Sequence, residues 1–174
     1  MAEQLWHAIQ GLPDWLAVAI LSAAPISEVR GGIPVGLCYY NMPIWLCLPV
    51  AIASNVVSVL WIVPTYNWMA RTFDATPGLG RLFRWLTARA EKRRGLVEKY
   101  GVLAVTVLVA VPLPVTGAWT GSVIASVFRM PFAKAALCML LGVLIASTIV
   151  TGLTLGGVEV FNAIHVRPDV AAGQ

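Results

Sequence analysis

The sequence predicts an all-α integral membrane protein built as an inverted repeat, each half a re-entrant helical hairpin followed by a full transmembrane helix. Three observations predict it. First, 59% of the 174 residues are hydrophobic and only 11% are charged, with a mean hydropathy of +0.80. A water-facing chain carries about 25% charge, so too few charged groups are present to coat a soluble surface. Second, segments 31–70, 100–128 and 135–158 contain no Asp, Glu, Lys or Arg, and a helix needs about 20 apolar residues to cross a bilayer core. Third, the two halves resemble each other. Each has a short apolar arm, a proline (Pro25, Pro112), a Gly-rich polar stretch, a second short arm, a Met-Pro step (Met42-Pro43, Met130-Pro131) and a long apolar helix. The same composition excludes a soluble domain, a disordered protein and a nucleic-acid reader, despite a pI near 9.3.

Residues 1–70 form the first repeat. The start, Met1-Ala2-Glu3-Gln4, has no basic n-region or cleavage site, so no cleaved signal peptide is expected. Residues 2–12 read as a short interfacial helix with Leu5, Trp6 and Ile9 on one side. The hairpin covers about 15–40. Its first arm, 15–24, is about 15 Å long at helical rise, half a bilayer. Pro25, Gly31, Gly32, Pro34 and Gly36 follow, a poor context for a continuous helix, and 35–40 leads out again. The span covers about 44–68, with Trp61, Tyr66 and Trp68 as an interfacial aromatic belt.

Residues 71–99 connect the repeats and hold eight of the twelve Lys and Arg: Arg71, Arg81, Arg84, Arg89, Lys92, Arg93, Arg94 and Lys99. The positive-inside rule makes this connection cytoplasmic. Within it, Leu79, Leu82, Phe83, Leu86 and Ala90 share one helical face and most basic residues the other, an amphipathic helix on the inner leaflet. Residues 100–158 form the second repeat, with a hairpin at about 101–128 broken at Pro112 and Pro114, and a span at about 132–158. Residues 159–174 are a tail.

An alternative gives each half an ordinary kinked spanning helix, four spans in all. Arg129 and Lys134 would then lie outside. With re-entrant hairpins the second hairpin opens inside, ten of the twelve basic residues are cytoplasmic, and both termini are outside. The charge rule favours that arrangement. The chain is thereby placed in the cytoplasmic (inner) cell membrane as a multi-pass protein, with membrane lipid as its surroundings.

Glu28 and Arg30 lie between the apolar arms of the first hairpin. Ionisable groups at membrane depth cost several kcal/mol unless paired or wetted, and mark function by default. Glu28 is suited to accept a proton, to bind a cation, or to pair with Arg30; Arg30 has the forked geometry for phosphate or carboxylate. Ser27, Gly31 and Gly32 complete that tip. The second tip offers Thr116, Gly117, Trp119, Thr120 and Ser122, hydroxyls and backbone amides of the kind that hold an anion at a broken helix end. Asn55 is positioned early in the first span to line the same place. Against this stand structural readings: a Glu28–Arg30 pair, hydroxyls bonded to nearby carbonyls, Trp119 as packing, Asn55 as an interhelical bond. Ser54, Ser58, Gly142, Ala146, Gly152 and Gly156 are small residues at helix-packing spacing, and they leave a homo-dimer open. His7 and His165 lie in the tails and Cys38, Cys47 and Cys138 have no CxxC spacing, so no metal site, cofactor or enzyme signature emerges.

The stretch from Pro25 to Pro34 (PISEVRGGIP), together with Tyr100-Gly101 and the segment from Pro112 to Gly117 (PLPVTG), resembles the putative small multidrug export protein family over roughly 15–158. That family is similar in turn to the DedA (VTT-domain) superfamily, whose members have paired re-entrant hairpins and act in lipid-phosphate carrier recycling or lipid scrambling. The resemblance implies that Glu28 matches the acidic position after the first hairpin prolines. DedA-type proteins carry arginines in the second hairpin, where this chain has Thr116 and Trp119, with Arg129 at the exit.

The expectation is a small secondary transporter or flippase for an amphipathic or lipid-phosphate-type anion, proton- or sodium-coupled, with its site between the two tips. The alternatives are an exporter of lipophilic cations with Glu28 as the proton/drug site, and a non-transporting membrane scaffold with a structural Glu28–Arg30 pair.

Overall fold

The computed structural model of the chain describes residues 11–72, 76, 79–111 and 117–165. All regular structure among them is helical. The expected 2–12 helix falls mostly outside the described residues.

Helix α1 (Asp14–Ala23) follows Pro13 and stops at Ala24, whose φ −71° and ψ 140° are extended. Pro25 imposes this, because its ring disfavours helical geometry in the residue before it. The chain turns at once into α2 (Glu28–Pro34), which runs on as a π turn over Val35–Tyr39. Pro34 withdraws an N–H from the helical ladder just before that widening. Helix α3 (Ile44–Thr72) is long, with Pro49 and Pro64 inside it. The basic connection folds into α4 (Leu79–Glu91) and α5 (Arg94–Tyr100). Gly101, at φ +51°, joins α5 to α6 (Val102–Ala110) in a conformation that favours glycine. Helix α6 stops at Val111, again extended (φ −78°, ψ 118°) before a proline, Pro112. The chain resumes as α7 (Ala118–Val127) and ends in α8 (Phe132–His165).

The Gly-rich stretch is more helical than expected. The break in the first half is confined to residues 24–27, and Gly31, Gly32, Pro34 and Gly36 all lie within helical turns. The low helix propensity of glycine is offset by close packing. A Cβ on Gly32 would run into Ser22, and one on Gly36 would meet Cys47 Sγ and Val18. The glycines bring α2 and its π turn hard against α1 and α3.

Each long helix carries one arm from each half. Helix α1 packs along α3 and α6 along α8, while α2 packs against α8 and α7 against α3; α3 and α8 also touch each other. Cys47 Sγ reaches Ile33 O (3.9 Å) and Cys138 Sγ reaches Val102 O (3.5 Å), so these two buried cysteines serve as packing residues, while Cys38 is exposed. Asn41 and Arg129, each one step before a Met-Pro, adopt left-handed backbone (φ 49° and 51°). Asn tolerates that region; for Arg it costs about 1–2 kcal/mol.

The connection docks at one end of the molecule. Helix α4 packs against α7, and Tyr66 Oη reaches Phe83 O at 3.3 Å and Thr87 Oγ1 at 2.9 Å. Tyr66 is therefore a buried anchor for α4, whereas Trp61 and Trp68 are exposed as an aromatic belt requires. Arg94 grips Glu91 through two bonds of 2.8 and 2.9 Å, which hold the Glu91 carboxyl below its usual range.

Segments Ile44–Tyr66 and Phe132–Val158 are long and apolar enough to cross a membrane. They expose Trp45, Val57, Trp61, Leu137, Ile145 and Leu153, large apolar side chains that call for hydrocarbon or a partner rather than water. The small residues of α8 divide in two. A Cβ on Gly142 would meet Val109 and the Thr106 carbonyl within 3.0 Å, whereas Gly152 and Gly156 have nothing within 4 Å. Gly142 sets the α6–α8 approach; Gly152 and Gly156 pack on no described neighbour within the chain.

Gly142→Ala is therefore expected to lower stability by about 1–3 kcal/mol through overpacking. Gly152→Ala should leave it unchanged or raise it by up to about 1 kcal/mol. Thermal unfolding in detergent or nanodiscs checks this, and equal effects at the two glycines would contradict the α6–α8 packing.

Candidate functional site

The breaks in α1 and α6 leave backbone groups without helical partners. A backbone group left unmet away from water costs free energy comparable to a lost hydrogen bond, so what matters is where their hydrogen bonds go. At the end of α1, three consecutive carbonyls are met by side chains. Ser27 Oγ donates to Leu21 O, Asn55 Nδ2 donates to Ser22 O at 2.8 Å, and Trp119 Nε1 donates to Ala23 O at 3.2 Å. The donors come from the tip itself, from α3, and from the other half of the chain.

The second break is met from the first. Glu28 Oε1 accepts the backbone N–H of Trp119 at 3.2 Å, in the first turn of α7, where helix amides have no intrahelical acceptor. Arg30 Nη2 donates to Val111 O, the carbonyl just past the end of α6, at 3.5 Å. Glu28 Oε2 and Arg30 Nη2 are 3.8 Å apart. Each tip thus completes the other: Trp119 serves the first break, and Glu28 with Arg30 serves both sides of the second.

The first tip holds its acid in a costly backbone. Glu28 has φ +50°, a left-handed conformation that costs a non-glycine residue about 1–2 kcal/mol, and the residue is buried, at 7% exposure. The carboxylate sits at the positive end of α7, where backbone amides and the helix dipole favour negative charge. A Cβ on Gly117 would collide with the carboxylate, so glycine at that position is what allows the carboxylate onto the helix end. Chemically this is an anion seat made of amides and a guanidinium, filled by the chain's own carboxylate.

Of the residues expected from sequence, Ser27, Glu28, Arg30, Asn55, Gly117 and Trp119 converge here. Gly31 and Gly32 do not offer free amides: the Gly31 N–H is engaged with Ser27 O at 2.9 Å, and both residues act as close-packing positions in α2. Thr120 lies half-buried in the first turn of α7. Ser122 Oγ donates to Trp119 O at 2.7 Å, a local bond to a nearby carbonyl. Thr116 lies outside the described residues. Sequence reasoning missed the carbonyls of Leu21, Ser22, Ala23 and Val111, because a backbone acceptor has no residue signature. Ser22, a polar residue in an apolar arm, was the available clue to the first break.

Asn55 is fully buried. Asn55→Leu removes the donor to Ser22 O and should destabilise by about 1–3 kcal/mol. Trp119→Phe, which keeps the ring but removes the bond to Ala23 O, should cost about 0.5–1.5 kcal/mol. Unfolding midpoints in nanodiscs measure both, and two neutral results would contradict the reciprocal bonding of the breaks.

The family model described as "Putative small multi-drug export protein" matches residues 28–149. No curated protein and no solved structure matches the chain. The matched segment begins at Glu28 and runs through Arg30, Asn55, Gly117 and Trp119 to the middle of α8. It spans well over half of a membrane chain whose two breaks meet through those residues, and the protein belongs to the putative small multi-drug export protein family.

Proposed function

We propose that the protein is a small secondary transporter or flippase for an amphipathic anion, with Glu28 as coupling acid and Arg30 and the α7 amides as the anion-holding groups. The observation that carries this reading is the buried Glu28 carboxylate on the N-terminus of α7, 3.2 Å from the Trp119 amide and 3.8 Å from Arg30. A substrate phosphate or carboxylate needs the same donors, so it competes with Glu28 for one seat. Protonating Glu28 weakens its charge-assisted hold and frees the seat, which couples a proton to the substrate. Sodium coupling is the variant in which a cation neutralises the acid instead.

The lipophilic-cation reading fits less well, since the groups around the carboxylate are hydrogen-bond donors and a guanidinium. A scaffold role would keep the same contact permanently closed. The proposal includes no chemistry on a substrate.

The same proposal places the paired arms as re-entrant hairpins of an inverted repeat. Helices α1, α6 and α7 are each about 15 Å long at helical rise, half a bilayer. The arm-to-span packing recurs in both halves, and the positive-inside rule sets the inner cell membrane and the outward termini. Kinship to DedA proteins belongs to the proposal on the same grounds. Lipid surrounds the chain, and the unpacked Gly152–Gly156 face of α8 is the surface for a homo-dimer.

Glu28→Gln and Arg30→Gln, reconstituted separately in liposomes, test the reading. Glu28→Gln should abolish the dependence of anion flux on the proton gradient, and Arg30→Gln should lower anion flux at least about tenfold, with both variants monodisperse. Wild-type anion flux in both folded variants would refute it; loss of cation flux alone in Glu28→Gln would support the cation exporter. A cysteine in the C-terminal tail should react with an impermeant label from outside the cell, and labelling from the cytoplasm only would refute the topology.

A further inference from the structure

We infer that a second anion site opens where α7 returns to the basic end of the molecule, and that it takes an amphipathic anion, a phosphate or carboxylate head on an apolar chain. The inference uses none of the tip residues, so it stands or fails apart from the transport reading. A cavity of about 470 Å³ lies between the end of α7 and the Pro64 region of α3, within the range of small-molecule sites. Val63, Pro64, Met130 and Phe132 wall it with apolar surface, and Arg129 and Ser126 are its polar groups.

Arg129 is the unexpected member of that lining. Its φ of +51° is the left-handed value taken by Asn41 (φ +49°) at the matching step before the other Met-Pro. Asparagine suits that conformation and arginine does not, so the backbone gives no reason for arginine at 129. The side chain is exposed at the cavity, permanently charged, and forked for an oxyanion. The nearby guanidinium of Arg94 is already paired with Glu91 at 2.8 and 2.9 Å, so Arg129 is the cationic group of the cavity lining. A cation at one side of an apolar cavity fits a ligand with a charged head and an apolar body. Inorganic phosphate would leave the walls unused, and a neutral amphiphile would leave Arg129 unused.

The test uses the full chain in nanodiscs of zwitterionic phosphatidylcholine, with decyl phosphate as probe and inorganic phosphate as control, read by calorimetry. Wild type should bind decyl phosphate at least about tenfold more tightly than inorganic phosphate. Arg129→Asn should weaken decyl phosphate binding about tenfold or more without lowering Tm, because Asn relieves the backbone at that position; the unchanged Tm separates lost binding from lost fold. Doping the nanodiscs with phosphatidic acid identifies the source: competition assigns the natural head group to a bilayer lipid, and no competition assigns it to an amphiphile arriving from water. Equal binding by wild type and Arg129→Asn, equal affinity for the two phosphates, or no binding of decyl phosphate by wild type would each overturn the inference.

Discussion

The carboxylate of Glu28 accepts the amide of Trp119, and Arg30 beside it reaches the Val111 carbonyl just past α6. In return the indole of Trp119 donates to Ala23. These bonds exist because α1 and α6 each stop at an extended residue before a proline, leaving backbone groups without helical partners. A single broken helix in lipid is untenable. Two broken helices that face each other can exchange partners, and the chain builds its centre from that exchange. The rest follows from bringing the two breaks together: short arms, glycines that let α2 approach α1 and α3, and two long helices that hold one arm from each half.

The arrangement has an inherent asymmetry. The first break presents carbonyls and is met by neutral donors, Ser27, Asn55 and Trp119. The second presents the amide end of α7 and is met by a charge. Neutral bonds hold one geometry at all pH values, whereas a carboxylate bond depends on a proton. Under the proposed transport reading that difference separates the fixed half of the centre from the half that can open. The left-handed backbone of Glu28 costs about 1–2 kcal/mol in this arrangement.

Much of this centre was legible in the sequence. Charge scarcity singled out Glu28 and Arg30, because an apolar chain has few ways to carry an ionisable group without using it. Asn55 stood out as a candidate lining residue in an apolar span, Trp119 was placed in the second tip with packing as its structural reading, and the Met-Pro steps marked where the long helices begin. What could not be read was backbone. Glycine and proline between 31 and 36 signalled a break, yet the chain continues helically there, since tight packing on Ser22 and Cys47 outweighs propensity. Tyr66 looked interfacial because hydropathy sees only that it lies near a helix end, not that α4 folds back onto it. Arg129 was read as a topology charge and as an arginine at the exit of the second hairpin; its left-handed backbone and its cavity are properties of the fold.

Amide hydrogen exchange at Trp119 tests the central contact most directly. That N–H lies in the first turn of α7, so its protection reports on Glu28 and not on the helix ladder. In wild type in nanodiscs the Trp119 amide should exchange slowly, and in Glu28→Ala it should exchange at least about tenfold faster, while the amides of Val123 to Val127 are unchanged. Equal exchange at Trp119 in the two proteins would contradict the account, because the carboxylate would then not be the group that completes the second break.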